Sequence, residues 1–254
     1  MLLRSISPSM ILMAAVCSPL PAQWTTKSPN IPRLKNGEPN LSAPVPRRAG
    51  KPDLTGMWIA DPPKLRDASI GMAGGLPMQP WAQKLFDQRK TGELSAEDPD
   101  ANCLPQGVPK IDSTPLPFKL FQEPDVIIFL FEAFDQFRQV FMDGRPLPKD
   151  PNPQWFGYSV GKWDGDTLVV ESSGFNGKAW LDQVGHPSTE QLHVIERFHR
   201  RDFGHMNVTS TVDDPGAYTK PWSYSQPLTL MADEDLLELV CNENNRDLQH
   251  LKGK

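Results

Sequence analysis

The chain has 254 residues, 38% hydrophobic and 22% charged, which supplies one sizeable core and excludes global disorder. A formal net charge of −5, with only short basic pairs such as Arg47-Arg48 and Arg200-Arg201, excludes a nucleic-acid footprint. Past the first two dozen positions no apolar run reaches the roughly 18 residues that a membrane-spanning helix needs.

Met1 to Gln23 reads as a secretory signal: Arg4 is the positive start, Met10 to Val16 the apolar stretch, and Leu20-Pro21-Ala22 the cleavage context, so residues 1–22 are expected to be removed on export. Cys17 follows Val16, where a lipid-attachment site calls for a small residue. Residues 23–52 hold Pro29, Pro32, Pro39, Pro44, Pro46 and Pro52 without apolar periodicity and read as an extended arm or tether. A barrel domain is expected over 53–254. Its first strand is Asp53 to Ala60, which alternates Leu54, Gly56, Trp58 and Ala60 against Thr55, Met57 and Ile59.

One segment has a helical period, Gln79 to Lys90, with Trp81, Ala82, Leu85 and Phe86 on one stripe, Pro80 at the start and Thr91-Gly92 at the stop. A loop from Glu93 to Pro117 carries Cys103. Hairpin candidates fill the rest. Asp125 to Glu132 precedes Gln136 to Met142, which ends at Asp143-Gly144; Tyr158 to Trp163 and Thr167 to Ser172 flank Asp164-Gly165. Gln191 to Arg200 and His205 to Val212 flank Asp202-Phe203-Gly204, and Tyr224 to Met231 and Leu236 to Cys241 flank residues 232–235. The count is eight to ten strands with one short helix, the pattern of a mainly β, antiparallel barrel. Cys103 and Cys241, the two cysteines left after signal removal, are expected to form one disulfide in an oxidising compartment.

Gly56-Met-Trp58 at the first strand resembles the Gly-x-Trp entry of lipocalin and calycin-type barrels. The blocks Gly157-Tyr-Ser-Val-Gly-Lys-Trp-Asp-Gly-Asp-Thr-Leu-Val-Val-Glu, Gly174-Phe-Asn, Trp180-Leu-Asp, Glu196-Arg-Phe, Asp213-Asp-Pro and Pro221-Trp resemble a group of uncharacterised exported bacterial proteins. The resemblance spans about residues 53–247 and implies a lipocalin-like barrel, without an established activity. Members of that group often carry His where this chain has Ser188.

In Gln191 to Arg200 one face carries Leu192, Val194, Glu196 and Phe198, the other His193, Ile195, Arg197 and His199. If the second face lines a cavity, His193 and Arg197 can hold a carboxylate or phenolate; if not, they are polar surface. Glu132 and Arg138, on adjacent strands, suggest an ion pair that is either structural or orients a substrate. Asp182 and His186 suggest an acid/base pair beside the hydroxyls of Ser188 and Thr189, or simply turn caps. No Gly-x-Ser-x-Gly elbow supports a serine hydrolase. His193 and His199 lie about 20 Å apart along a strand, whereas His199 and His205 would face each other across a hairpin and are the weak metal candidates. No cofactor motif is present. Two readings stand: a carrier or sensor of a small amphipathic or apolar ligand, using Trp58, Arg138, Tyr158, Trp180 and Arg197, or an acid/base enzyme using Glu132, Asp182, His186, His193 and Glu196.

Overall fold

A computed structural model describes residues 27–62 and 67–243; residues 1–22, expected to be a signal segment, and Cys17 with them lie outside the described residues. Two short strands, β1 (Arg47–Arg48) and β2 (Lys51–Pro52), form a small hairpin. Then come β3 (Gly56–Ala60), the helix α1 (Pro80–Lys90), β4 (Phe118–Gln122), β5 (Val126–Phe131) and β6 (Gln136–Phe141). They are followed by β7 (Tyr158–Asp164), β8 (Thr167–Ser173), β9 (His193–Arg200), β10 (His205–Asp213) and β11 (Trp222–Leu230). β3 to β11 close into a nine-stranded barrel in chain order, with β11 pairing back onto β3. Every neighbouring pair is antiparallel except β6 and β7, which run parallel.

The expected hairpins at Asp164-Gly165 and at Asp202 to Gly204 both form. Three expectations are corrected. Asp143-Gly144 turns the chain, with Gly144 at φ 82°, yet opens a crossover to the parallel β7 instead of a hairpin. Phe118 to Gln122, unassigned in the sequence reading, is β4. Leu236 to Cys241 is not a strand, because β3 already occupies the free edge of β11. Leu237 is accordingly 67% exposed, although its backbone N–H donates to the Glu132 carboxylate at 3.1 Å.

The inward residues of the strands form two kinds of layer. Trp58, Phe118, Leu120, Phe129, Phe131 and Phe198 are buried together, and Phe129 lies 5.7–5.9 Å from the rings of Phe118, Phe131 and Phe198. The bore is therefore packed with side chains at this level, as small barrels require. Its two ends are closed differently. At the end marked by Gly56, Gln122, Arg200 and Leu230 the arm lies across the strands. Arg33 pairs with Asp233 at 2.6 Å, Arg47 with Asp166 at 2.5 Å, and the N–H groups of Phe203 and Gly204 donate to the carbonyls of Ala43 and Leu41. The arm is thus a docked strap over its described length, 27–52.

At the opposite end, marked by Ala60, Phe131 and Trp222, a plug of residues 107–114 enters the barrel mouth. Lys110, Ile111, Asp112, Ser113 and Thr114 are all buried there. Lys110 is neutralised by Asp98 and Asp100 at 3.4 and 3.0 Å. The disulfide between Cys103 and Cys241, with Cα atoms 5.6 Å apart, ties the segment before the plug to the irregular segment after β11. Helix α1 starts at Pro80 and buries Ala82 and Phe86, while Trp81 turns outward and donates its indole N–H to the Gly216 carbonyl at 2.9 Å. Among the described residues no helix is long and apolar enough to cross a membrane.

Candidate functional site

Strand parity decides which polar groups enter the barrel, and on β9 it selects Glu196 and not Arg197. Val194, Glu196 and Phe198 are fully buried, so the face carrying His193, Arg197 and His199 points outward. There Arg197 pairs with Asp164 at 2.6 Å, and His193 with Glu171 at 2.8 Å. His199 lies opposite Asn207 in the register and contacts Thr167, whereas His205 bonds Asp202 at 2.6 Å. The two histidines proposed as metal candidates therefore do not meet, because the Asp202 turn offsets their register.

Arg138 finds its carboxylate on the far side of the bore. Its guanidinium forms a two-pronged pair with Glu196, and its remaining donors reach Ser159 at 3.1 Å and Ser172 at 2.9 Å. Such fork geometry satisfies a buried charge from both sides. Glu132 is not its partner: it sits in the β5–β6 turn and receives the Leu237 N–H instead. Six consecutive strands contribute to one polar layer: Arg138, Ser159, Ser172, Glu196, Ser210 and Tyr224, one from each of β6 to β11. The plug adds Asp112, which meets Glu196, and Ser113, whose hydroxyl lies with that of Ser210 beside the Tyr224 phenol. Burial, with the adjacent Glu196 charge, pushes the Asp112 carboxyl well above the usual carboxylate range. Its carboxyl faces Glu196, and the shift favours its protonated form. The same burial and the nearby Asp112 push the Tyr224 phenol upward.

Asp182 and His186 meet at the plug end as expected, with Oδ2 2.5 Å from Nδ1 and neither side chain exposed. Asp182 Oδ1 also accepts the backbone N–H groups of Val184, Gly185 and His186, and Phe86 stacks on the imidazole at 4.0 Å. Ser188 and Thr189 do not join this pair: the Ser188 hydroxyl donates to the Ala179 carbonyl and the Thr189 hydroxyl to Asp214. Trp180 is buried beside them under Arg89, with the guanidinium 4.6 Å from its ring centre. Tyr158 lies on the outer face, stacked on Phe141 and bonded through its hydroxyl to Arg145 at 3.0 Å.

The arm end holds a cavity of about 460 Å³ between the strap and the barrel, lined in part by Ile31, Met57, Phe203, Leu230 and Met231. Its buried charged member is Arg200, 3% exposed and absent from the sequence-based site. The guanidinium lies 4.9 Å over the Trp58 ring, and Trp58 fixes itself by donating to the Leu54 carbonyl at 3.0 Å. Three of the five Arg200 N–H groups are spent on the backbone carbonyls of Asp53, Asp202 and Phe203. No carboxylate pairs with it among the described residues. Burial pulls its pKa down to about 10, against the opposing charges of Asp53 and Asp202. Arg48 and Asp53 pair at 3.4 Å, and Lys119 of β4, Glu234 and Asp235 also line the cavity. Arg200 carried a visible signal, since it shares the inward parity of Glu196 and Phe198. The polar layer could be read the same way, from Ser159, Ser172 and Ser210 at inward positions of apolar strands.

Comparison with known protein families and with characterised proteins finds no significant match to the chain.

Proposed function

We propose that the protein is an exported carrier or sensor that binds a small amphipathic anion in the arm-end cavity, its headgroup on Arg200 and its apolar part along Met57, Phe203 and Leu230. The observation that carries this reading is the Arg200 guanidinium: buried, without a carboxylate partner, and set in the wall of a cavity whose volume falls in the range of ligand sites. An incoming carboxylate would use the two N–H groups left over and relieve the burial that now disfavours the charge. The disulfide is compatible with export, and the resemblance to exported lipocalin-like proteins belongs to the same reading.

Calorimetric titration with dodecanoate and with neutral dodecanol tests it. A charge-assisted hydrogen bond is worth about 1.5–3 kcal/mol, so the wild type should prefer dodecanoate by about 10- to 100-fold. R200Q should lose that preference. Because Arg200 also holds the β9–β10 turn, A232W serves as the second variant: it fills the cavity from its half-buried wall and should block both probes while leaving the melting temperature in place. Equal binding of both probes by the wild type would end the reading.

The acid/base alternative is favoured by a different observation, the buried Asp112 carboxyl set against Glu196. A turnover screen of small carbonyl compounds in which D112N is silent and wild type active would favour it over the carrier.

A further inference from the structure

Asp182 and His186 lie far from the Arg200 cavity, at the other end of the barrel, and no step of the carrier reading uses them. Four contacts lock the aspartate: the three turn N–H groups on Oδ1 and the Ala68 N–H on Oδ2 at 2.8 Å. A carboxylate so held is a fixed acceptor, so the neutral imidazole tautomer that fits has its proton on Nδ1, toward Asp182, and its lone pair on Nε2. Nε2 is buried and has no hydrogen-bond partner. Leaving such an acceptor unmet is costly, and Phe86, stacked at an interplanar angle of 14°, prevents the ring from swinging toward one.

The residue next to Ala68 supplies the other half of the observation. Asp67, half-buried, brings a carboxylate oxygen within 4.8 Å of both an Asp182 oxygen and a His186 ring nitrogen; this is the one such group of three donors among the described residues. Asp67 Oδ1 is engaged by the Ser69 N–H at 2.9 Å and its hydroxyl at 2.5 Å, which sets the carboxylate, and Oδ2 accepts no hydrogen bond among the described residues. Asp67 also lines a cavity of about 330 Å³ with Ala68, Met72 and residues 223–225 of β11, so the cluster borders an opening on its Asp67 side.

We propose that this cluster is a binding site for a borderline divalent metal ion such as Zn²⁺, with His186 and Asp67 as its protein ligands and Asp182 as the carboxylate that orients the imidazole. An imidazole whose other nitrogen is held by a carboxylate is the common arrangement around protein-bound zinc. One imidazole and carboxylate oxygen suit zinc and its neighbours rather than a softer ion. Two carboxylates match the charge of the dication, and water completes the coordination. Bound metal would stitch the 67–72 loop to the 182–186 turn.

The test uses the full chain and Zn²⁺ alone. Calorimetry should give one site per chain, zinc should raise the melting temperature, and zinc-edge absorption should show an imidazole scatterer. D67N keeps the Ser69 turn, since its amide oxygen still accepts those bonds, but removes the ligand charge; zinc affinity should fall at least about 10-fold. H193Q and H205Q, which remove the surface pairs with Glu171 and Asp202, should leave the affinity unchanged. Undiminished affinity in D67N, or zinc binding lost in either surface variant, would overturn the proposal.

Discussion

Replacing Asp112 by Asn should make the protein more stable at neutral pH, and increasingly so as the pH rises. Asn is nearly isosteric and still offers a donor to Glu196, so the contact survives while the ionisation disappears. In the unfolded chain Asp112 loses its proton near pH 4; in the folded chain it keeps the proton far above that, because burial and the Glu196 charge oppose its ionisation. Between those limits the native state binds one more proton than the unfolded state. Stability then falls by about 1.4 kcal/mol for each pH unit. Wild type therefore loses stability through this group as the pH rises above the ordinary carboxylate range, and D112N lacks that loss. For a domain of this size each 1 kcal/mol of difference is about 2–4 °C in melting temperature. The carboxyls of Asp143, Asp166, Asp202 and Asp233 are held below their usual range, so their contributions vanish only in stronger acid and are common to both proteins. Asp98, raised by burial, is common too. Urea unfolding of both proteins at pH 5, 6, 7 and 8, with the disulfide intact, isolates the effect as a difference curve. Parallel curves would refute the assignment of the proton to the Asp112–Glu196 pair.

Glu196→Gln should cost about 3–5 kcal/mol, because it strands the buried Arg138 charge, whereas Glu132→Gln should stay within about 0.5 kcal/mol, because Glu132 pairs with no buried charge and the amide oxygen still accepts the Leu237 N–H; chemical denaturation distinguishes them. Reducing the Cys103–Cys241 bridge, which spans 138 residues, should lower stability by up to about 5 kcal/mol on the chain-entropy estimate, read as a shift in the urea midpoint with and without reductant. Gly204→Ala places a methyl 2.4 Å from the Leu41 Cβ, so the strap must lift; a loss of about 1–3 kcal/mol and faster hydrogen exchange over residues 41–43 are expected, with L41G restoring both.

Turn chemistry made much of the barrel legible. Asp164-Gly165 and Asp202 to Gly204 place φ-tolerant residues between apolar alternations, and the helix is bounded by Pro80 and Gly92. Leu236 to Cys241 has the same apolar composition as a strand, but no edge remained for it once β11 met β3, a fact of closure that no local pattern contains. The facing of β9 was ambiguous for a related reason: a period of two gives two faces without saying which is inside. Arg197 looked like the ligand anchor by chemistry alone, yet the Arg138 charge across the bore requires Glu196 inward, and Arg197 then has to face out. Asp182 and His186 were found from spacing because they are close in sequence, while Asp112, Arg200 and Asp67 acquire their roles only from distant segments.

The one parallel pairing has a cause in arithmetic. Strands that follow each other around a ring reverse direction at every step, and an odd ring of nine cannot alternate all the way round; somewhere two neighbours must point the same way. Here the mismatch falls between β6 and β7, where only Val140 with Ser159 and Phe141 with Val160 are in register. Slanted parallel bonds are the weaker kind, so this seam is where the ring should open first. Arg138 of β6, which reaches over it to Ser159 on β7, Ser172 on β8 and Glu196 on β9, acts as the rivet that holds the odd ring shut.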